Sequence, residues 1–98
     1  MDGTSRGQLM VKLADIVQRN EQVLATIEAL DNGKPYSKAL GDIEEVYSVL
    51  RYYAGWADKH YGQTIETSRA KFTYTVCEPI GVCGQIIPYV TPFAFMGM

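Results

Sequence analysis

The side chains able to do covalent or metal chemistry are few: the thiols of Cys77 and Cys83 and a single imidazole, His60. Three such groups, with His60 remote from the cysteines in sequence, are too few for a zinc site. The six-residue step between the cysteines crosses an expected turn and would allow a disulfide. Free buried thiols are the favoured reading, since unpaired cysteine behaves as a small hydrophobe and nothing points to an oxidising compartment. Cys83 as a nucleophile would need a cation, an imidazole or a helix N-terminus to lower its pKa, and the sequence implies none beside it. Its place in an apolar run assigns it to packing instead. The carboxylates Asp15, Glu44, Glu45 and Asp58 form no close constellation, so solvated helix faces account for them. Tyr52, Tyr53 and Trp56 recur at helical spacing, which favours core and interface packing over an aromatic binding patch. His60 falls near an expected helix C-terminus, where its role is a favourable dipole interaction.

These groups must be positioned by helices first and strands second. Over residues 6–30, Leu9, Met10, Leu13, Ile16 and Val17, then Val23, Leu24, Ile27 and Leu30, recur at helical spacing. Arg19-Asn20-Glu21 interrupts the pattern, with Asn20 an N-cap candidate and Glu21 a favourable first-turn anion, so two helices are predicted. Gly33 can take the left-handed cap conformation and Pro35 cannot continue a helix, which ends the second. A third helix is predicted from an N-cap at Ser37 to about Tyr61, with a core stripe of Leu40, Ile43, Tyr47, Leu50, Ala54, Ala57 and Tyr61. Val46 and Tyr53 widen the stripe, Gly41 and Gly55 hint at close backbone packing, and Gly62 caps the end.

Beyond Gly62 the period changes. Phe72, Tyr74 and Val76 alternate with Thr73, Thr75 and Cys77, as in a half-buried strand. After Glu78-Pro79, residues 80–87 (Ile-Gly-Val-Cys-Gly-Gln-Ile-Ile) are apolar on both faces, as in a strand buried within a parallel sheet. One strand of each kind cannot make a stable sheet, because three or more are normally needed. The neighbours of the second strand are therefore expected from outside these residues.

Composition narrows the function classes. Hydrophobic residues make up 47% and charged residues 20% of the 98, so the chain is globular rather than disordered. A net charge of −2 and a pI of about 5.2 give no electrostatic reason for binding nucleic acid or an anionic membrane. No run approaches the roughly 18 to 20 apolar residues of a membrane span. The first residues lack an apolar signal core, and the expected location is cytoplasmic.

Several long words, in order, carry a resemblance. Arg6-Gly7-Gln8-Leu9, Lys12-Leu13-Ala14-Asp15, Glu28-Ala29-Leu30-Asp31-Asn32-Gly33-Lys34-Pro35 and Arg51-Tyr52-Tyr53-Ala54-Gly55-Trp56-Ala57-Asp58-Lys59 resemble consecutive segments of NAD(P)-dependent aldehyde dehydrogenases. Phe72-Thr73-Tyr74-Thr75 and the stretch from Glu78 to Pro88 extend the match, which runs over about residues 6–88 without an evident gap.

The resemblance implies an α/β fold: the N-terminal helices plus the first strands of the Rossmann-like nucleotide-binding domain, cut short before the catalytic domain. Residues 1–98 would be a partial nucleotide-binding domain, and residues 70–78 resemble the hairpin through which subunits pair. It further implies NAD or NADP as cofactor, with Ile86, Ile87, Pro88 and Tyr89 at positions lining the adenine-ribose side of the cleft; for these four a plain hydrophobic strand end is an equal reading. The ribose-holding lysine comes later in the family, so nucleotide affinity of these residues alone should be weak or absent.

The match fails where the family reads Pro-Trp-Asn-Phe-Pro and this chain reads Pro88-Tyr89-Val90-Thr91-Pro92. Val90 then replaces an asparagine that donates an N–H to the oxyanion, and losing one such donor typically costs about 2.7 to 4 kcal/mol of transition-state stabilisation. The family's catalytic cysteine (Gly-Gln-x-Cys) and general-base glutamate (Glu-Leu-Gly-Gly) lie far downstream and do not occur here. Cys83-Gly84-Gln85 has similar residue types in the wrong order. An altered terminal exon, a frameshift or a gene-model error would each produce such a tail. The expectation is therefore a fragment of an oxidoreductase converting aldehyde and NAD(P)+ to carboxylic acid and NAD(P)H, inactive alone. The alternative is a non-catalytic module that joins a homo-oligomer or full-length aldehyde dehydrogenase subunits through strand 72–76. Aldehyde substrate and coenzyme preference lie beyond these residues.

Overall fold

A computed structural model of the chain describes residues 1–78, 80–84 and 86. Helix α1 (Gly3–Arg19) is followed by α2 (Glu21–Asn32), α3 (Tyr36–Trp56) and the short strands β1 (Thr64–Ile65) and β2 (Thr73–Tyr74). The first helix starts earlier than its apolar periodicity, because Asp2 caps it. The Asp2 carboxylate accepts from the Ser5 N–H at 2.7 Å and from the Ser5 hydroxyl at 2.9 Å.

The break between α1 and α2 falls at Asn20, as predicted, but its side chain does not cap α2. Asn20 Nδ2 donates to the Ile16 carbonyl at 2.8 Å, closing the end of α1 instead. Gly33 ends α2 in the left-handed conformation, φ 76°, with its N–H donating to Ala29 O at 3.0 Å. Ser37 is not the cap of α3. Pro35 holds that position in extended backbone, and its carbonyl accepts from Lys38 N and Ala39 N at 2.9 and 3.1 Å. The helix also stops at Trp56 rather than Tyr61, so Gly62 caps nothing. Lys59 supplies the reason: its N–H donates to Trp56 O at 2.9 Å and its ammonium to Gly55 O, taking up carbonyls at the helix end.

Helix α3 is central: α1 and α2 both pack along it and scarcely touch each other. The core is Ala25, Ala39 and Ile43, flanked by Val17, Leu24, Ala29 and Leu40. On α1 the buried positions are Gly7 and Ala14, and on α3 Val46 joins Ala39 and Ile43. A Cβ on Gly7 would stand 2.8 Å from Ala54 O, so α1 approaches α3 more closely than any side chain allows. Gly41 and Gly55, expected at close contacts, face open space.

Only part of the predicted core stripes lies in this core: Ile43 is buried there with Val17, Leu24 and Leu40 against it, while other large members stay outside. Leu9, Leu13, Ile16, Val23, Ile27 and Leu30 are exposed, Leu30 to 81%, and so is Tyr61. Their helical spacing is real, but the helices meet through small residues and leave the larger apolar side chains on a second, uncovered face. Trp56, Tyr52 and Tyr53 are likewise about half exposed, and pack on one another rather than in the core, with Tyr52 edge-on to Tyr53 at 5.1 Å.

The sheet among the described residues is one antiparallel pair, Thr64 opposite Tyr74 and Ile65 opposite Thr73. Thr75 N donates to Gln63 O at 2.9 Å and Lys71 N to Ser68 O at 3.0 Å, so 63–75 is a hairpin with its turn near Ser68. β1 was not anticipated, since Gln63-Thr64-Ile65-Glu66 has a single apolar residue. The alternation at 72–76 exists, but no second layer among the described residues covers it: Phe72, Tyr74 and Val76 are exposed, with the Phe72 and Tyr74 rings 5.7 Å apart. The expected buried strand over 80–87 is not formed by residues 80–84 and 86, and Ile80, Val82 and Ile86 stand essentially fully exposed. No helix among the described residues is long and apolar enough to cross a membrane.

Candidate functional site

The least ordinary electrostatic feature joins α2 to α3. The Lys34 ammonium lies 3.0 Å from Glu28 Oε1 and 2.5 Å from Asp42 Oδ2, and the Glu28 side chain is only 1% exposed. Asn32 completes the loop, its Nδ2 donating to Glu28 Oε1 at 2.8 Å and its Oδ1 accepting from Lys34 N at 3.0 Å. Burial works against the charged Lys34, but the hydrogen bonds to Asp42 and Glu28 and their negative charge outweigh it, leaving the lysine pKa above its ordinary value. Among the described residues, nothing donates a hydrogen bond to Glu28 Oε2. The arrangement is a clamp at the α2–α3 turn. It offers neither an open face nor a nucleophile.

On the other flank, Arg51 of α3 donates to Asp15 Oδ1 at 3.0 Å and Gln18 Oε1 at 2.6 Å on α1, and stacks over the Tyr47 ring at 5.5 Å. Asp15 thus belongs to an interhelical contact, whereas Asp58 pairs with the adjacent Lys59 at 2.8 Å.

Both cysteines are free, as expected, but both are exposed rather than buried, because no sheet among the described residues encloses their segments. Cys77 follows the hairpin, its thiol directed at Tyr61 O, 4.0 Å away. It shares a cavity of about 300 Å³ with Arg6 from the first turns of α1, His60 from the α3–β1 connection, and Glu78. His60 therefore lies beyond the helix end and not within its dipole. Positions 6, 60 and 77 have no common period, so nothing in the sequence signals their meeting. The described residues contain no group of three or more side chains suited to a metal ion.

Of the four residues expected at the cofactor cleft, Ile86 is fully exposed; Ile87, Pro88 and Tyr89 lie outside the described residues, as does Val90. Ile86 provides an apolar surface and no donor for a phosphate or ribose hydroxyl.

Comparison with known proteins decides the family. The model of the aldehyde dehydrogenase family matches residues 1–98, the whole chain. The chain belongs to the aldehyde dehydrogenase family. Retinal dehydrogenase 2 of Gallus gallus is 56% identical over 93 residues, 94% of this chain and 18% of that protein. An aldehyde dehydrogenase of Aspergillus niger is 55% identical over 89 residues, again 18% of its length. The fold agrees: the solved NAD+ complex of aldehyde dehydrogenase from Bacillus cereus superposes with a TM-score of 0.93 at 47% identity, covering 99% of this chain and 20% of that one. This aldehyde dehydrogenase chain thus spans about a fifth of the length of the relatives it matches. Its helices and hairpin are the N-terminal part of the family fold.

Proposed function

We propose that these residues serve as a partial nucleotide-binding domain of an NAD(P)-dependent aldehyde dehydrogenase, supplying scaffold rather than reacting groups. The complete family reaction oxidises an aldehyde to an acid with NAD(P)+ as hydride acceptor. The contribution from this segment is the three-helix frame and, at its end, apolar contact from Ile86, Ile87, Pro88 and Tyr89 against the adenosine side of the cofactor. The observation that carries this reading is the uncovered apolar surface: Leu9, Leu13, Ile16, Val23, Ile27 and Leu30, together with Ile80, Val82 and Ile86, are fit for burial against more protein than the described residues provide. The 98 residues alone are inactive on this reading. Purified chain incubated with NAD+ and a simple aldehyde should produce no NADH above the no-enzyme rate; turnover would refute the assignment.

A second reading rests on a different observation. β2 has a partner only in β1 among the described residues, and Phe72, Tyr74 and Val76 are exposed beside it. Such an edge invites another strand. On this reading, residues 70–78 join the chain to another copy or to full-length aldehyde dehydrogenase subunits, in mixed and impaired assemblies. Co-expression with a full-length relative tests it. Co-purification that Tyr74→Pro abolishes supports pairing through this edge, because the Tyr74 N–H faces away from β1, and co-purification indifferent to Tyr74→Pro excludes it.

A further inference from the structure

The clamp between α2 and α3 holds a reactive dipeptide. An asparagine carboxamide closes on the next backbone nitrogen most readily when glycine follows, because glycine has no side chain to shield that nitrogen. Asn32-Gly33 is such a pair. Gly33 is exposed, and nothing lies within 4 Å of where a Cβ would stand on it, so solvent reaches the peptide link. Three hydrogen bonds oppose the closure. The Gly33 N–H donates to Ala29 O at 3.0 Å, which engages the nitrogen as the cap of α2. Asn32 Nδ2 donates to Glu28 Oε1 at 2.8 Å and Asn32 Oδ1 accepts from Lys34 N at 3.0 Å, which keeps the carboxamide from turning freely. Glu28 is held in turn by the Lys34 ammonium at 3.0 Å. The clamp has no nucleophilic side chain, but the Gly33 nitrogen becomes a nucleophile whenever its cap opens.

We propose that Asn32 is a deamidation site gated by the Lys34–Glu28 clamp, and that the product carboxylate breaks the clamp. In the open turn, solvent hydroxide takes the Gly33 N–H proton, the nitrogen attacks Asn32 Cγ, and the Cγ–Nδ2 bond breaks. Ammonia leaves with a proton from water, and a cyclic imide remains. Water then opens the imide at either carbonyl, giving aspartate or isoaspartate with no change of oxidation state. The aspartate form puts an oxygen where Nδ2 donated, 2.8 Å from a Glu28 carboxylate that is 1% exposed. A hydrogen bond becomes a contact between like charges, beside a Glu28 Oε2 to which nothing donates among the described residues. The isoaspartate form adds a methylene to the backbone and disturbs the Gly33 cap as well. The proposal rests on the clamp and not on the scaffold reading above, so either can fail without the other.

The test is a time course of the 98-residue chain in mildly alkaline buffer, with the mass gain of deamidation followed at Asn32 by peptide mass spectrometry. A synthetic peptide of residues 28–37 gives the ungated rate. Asn32 should react about tenfold more slowly in the chain than in the peptide, since it reacts only from the open fraction. Lys34→Met should bring the chain close to its own matching peptide, which carries the same substitution and corrects for any change in intrinsic rate. Gly7→Leu loosens α1 from α3 but leaves the partners in the turn in place, and it should accelerate the reaction much less. Asn32→Asp, standing for the product, should lower the folded-to-unfolded ratio about tenfold at neutral pH, and adding Glu28→Gln should restore much of it. Equal rates in chain and peptide, equal acceleration by Lys34→Met and Gly7→Leu, or an Asn32→Asp loss that Glu28→Gln does not relieve would overturn the proposal.

Discussion

The Lys34 ammonium, 3.0 Å from Glu28 Oε1, ties the C-terminal turn of α2 to the start of α3 through a carboxylate that solvent scarcely reaches. Asp42 shares the same ammonium from the second turn of α3. The sharp Asn32-Gly33-Lys34-Pro35 connection is thereby fixed by charge as well as by backbone geometry. Replacing Lys34 with Met leaves Glu28 buried without its counter-ion, which should cost about 3 to 5 kcal/mol. The urea midpoint of the helical circular dichroism signal should fall accordingly, and Glu28→Gln/Lys34→Met together should recover much of the loss.

The same clamp sets an alkaline limit. The folded-state pKa of Lys34 lies above its ordinary 10.5, so its contribution is complete below that value and is lost as pH rises through the raised folded pKa. Half-buried Tyr47 is also shifted upward, chiefly by burial and then by Glu44 and Glu21, and adds to the alkaline loss with the same sign. Helical stability should be level on this account from neutral pH to about 10 and decline beyond it. In Lys34→Met the decline should be shallower. An unchanged slope would remove Lys34 from the account.

At the opposite end, acid should loosen the first turn of α1. Hydrogen bonds from Ser5, then the charge of Arg6, hold the Asp2 carboxyl below its ordinary 3.8. A lowered folded pKa means stability present above 3.8 and lost as pH falls through the folded value. Asp2→Ala should speed exchange of the Ser5 amide at neutral pH, and it should abolish the acid-dependent component of that exchange.

Gly7 and Ile43 test the packing. A side chain at Gly7 collides with the backbone of Ala54, which cannot swing away, so Gly7→Leu should push α1 off α3 at a cost of about 1 to 3 kcal/mol. Ile43 is fully buried at the heart of the α2–α3 contact, and Ile43→Ala should cost about 2 to 5 kcal/mol. Leu30→Ala, on the uncovered face, should change the urea midpoint little. Equal losses for Ile43→Ala and Leu30→Ala would mean that the core is misplaced.

How far the sequence could be read follows from range. The α1–α2 break at Asn20 and the left-handed Gly33 were legible because both are settled by residues a turn away. The end of α3 was not: Lys59 reaches back to take up carbonyls, and no period reports that. Periodicity found the apolar stripes but could not say which stripe this chain buries, since Gly7, Ala14 and Ala25 carry too little hydrophobicity to stand out beside Leu9 or Ile27. β1 escaped because its pairing with β2 depends on backbone, not on side-chain pattern. The encounter of Arg6, His60 and Cys77 joins three distant segments and leaves no mark on any of them.

Amide hydrogen exchange across residues 80–86 bears most directly on the reading of this chain as scaffold awaiting further strands. Val82, Cys83, Gly84 and Ile86 should exchange at rates close to those of an unfolded peptide, while amides in the middle of α3 are protected. Protection at those four positions matching that of α3, in the 98-residue chain alone, would show that they already lie between strands and would contradict the account.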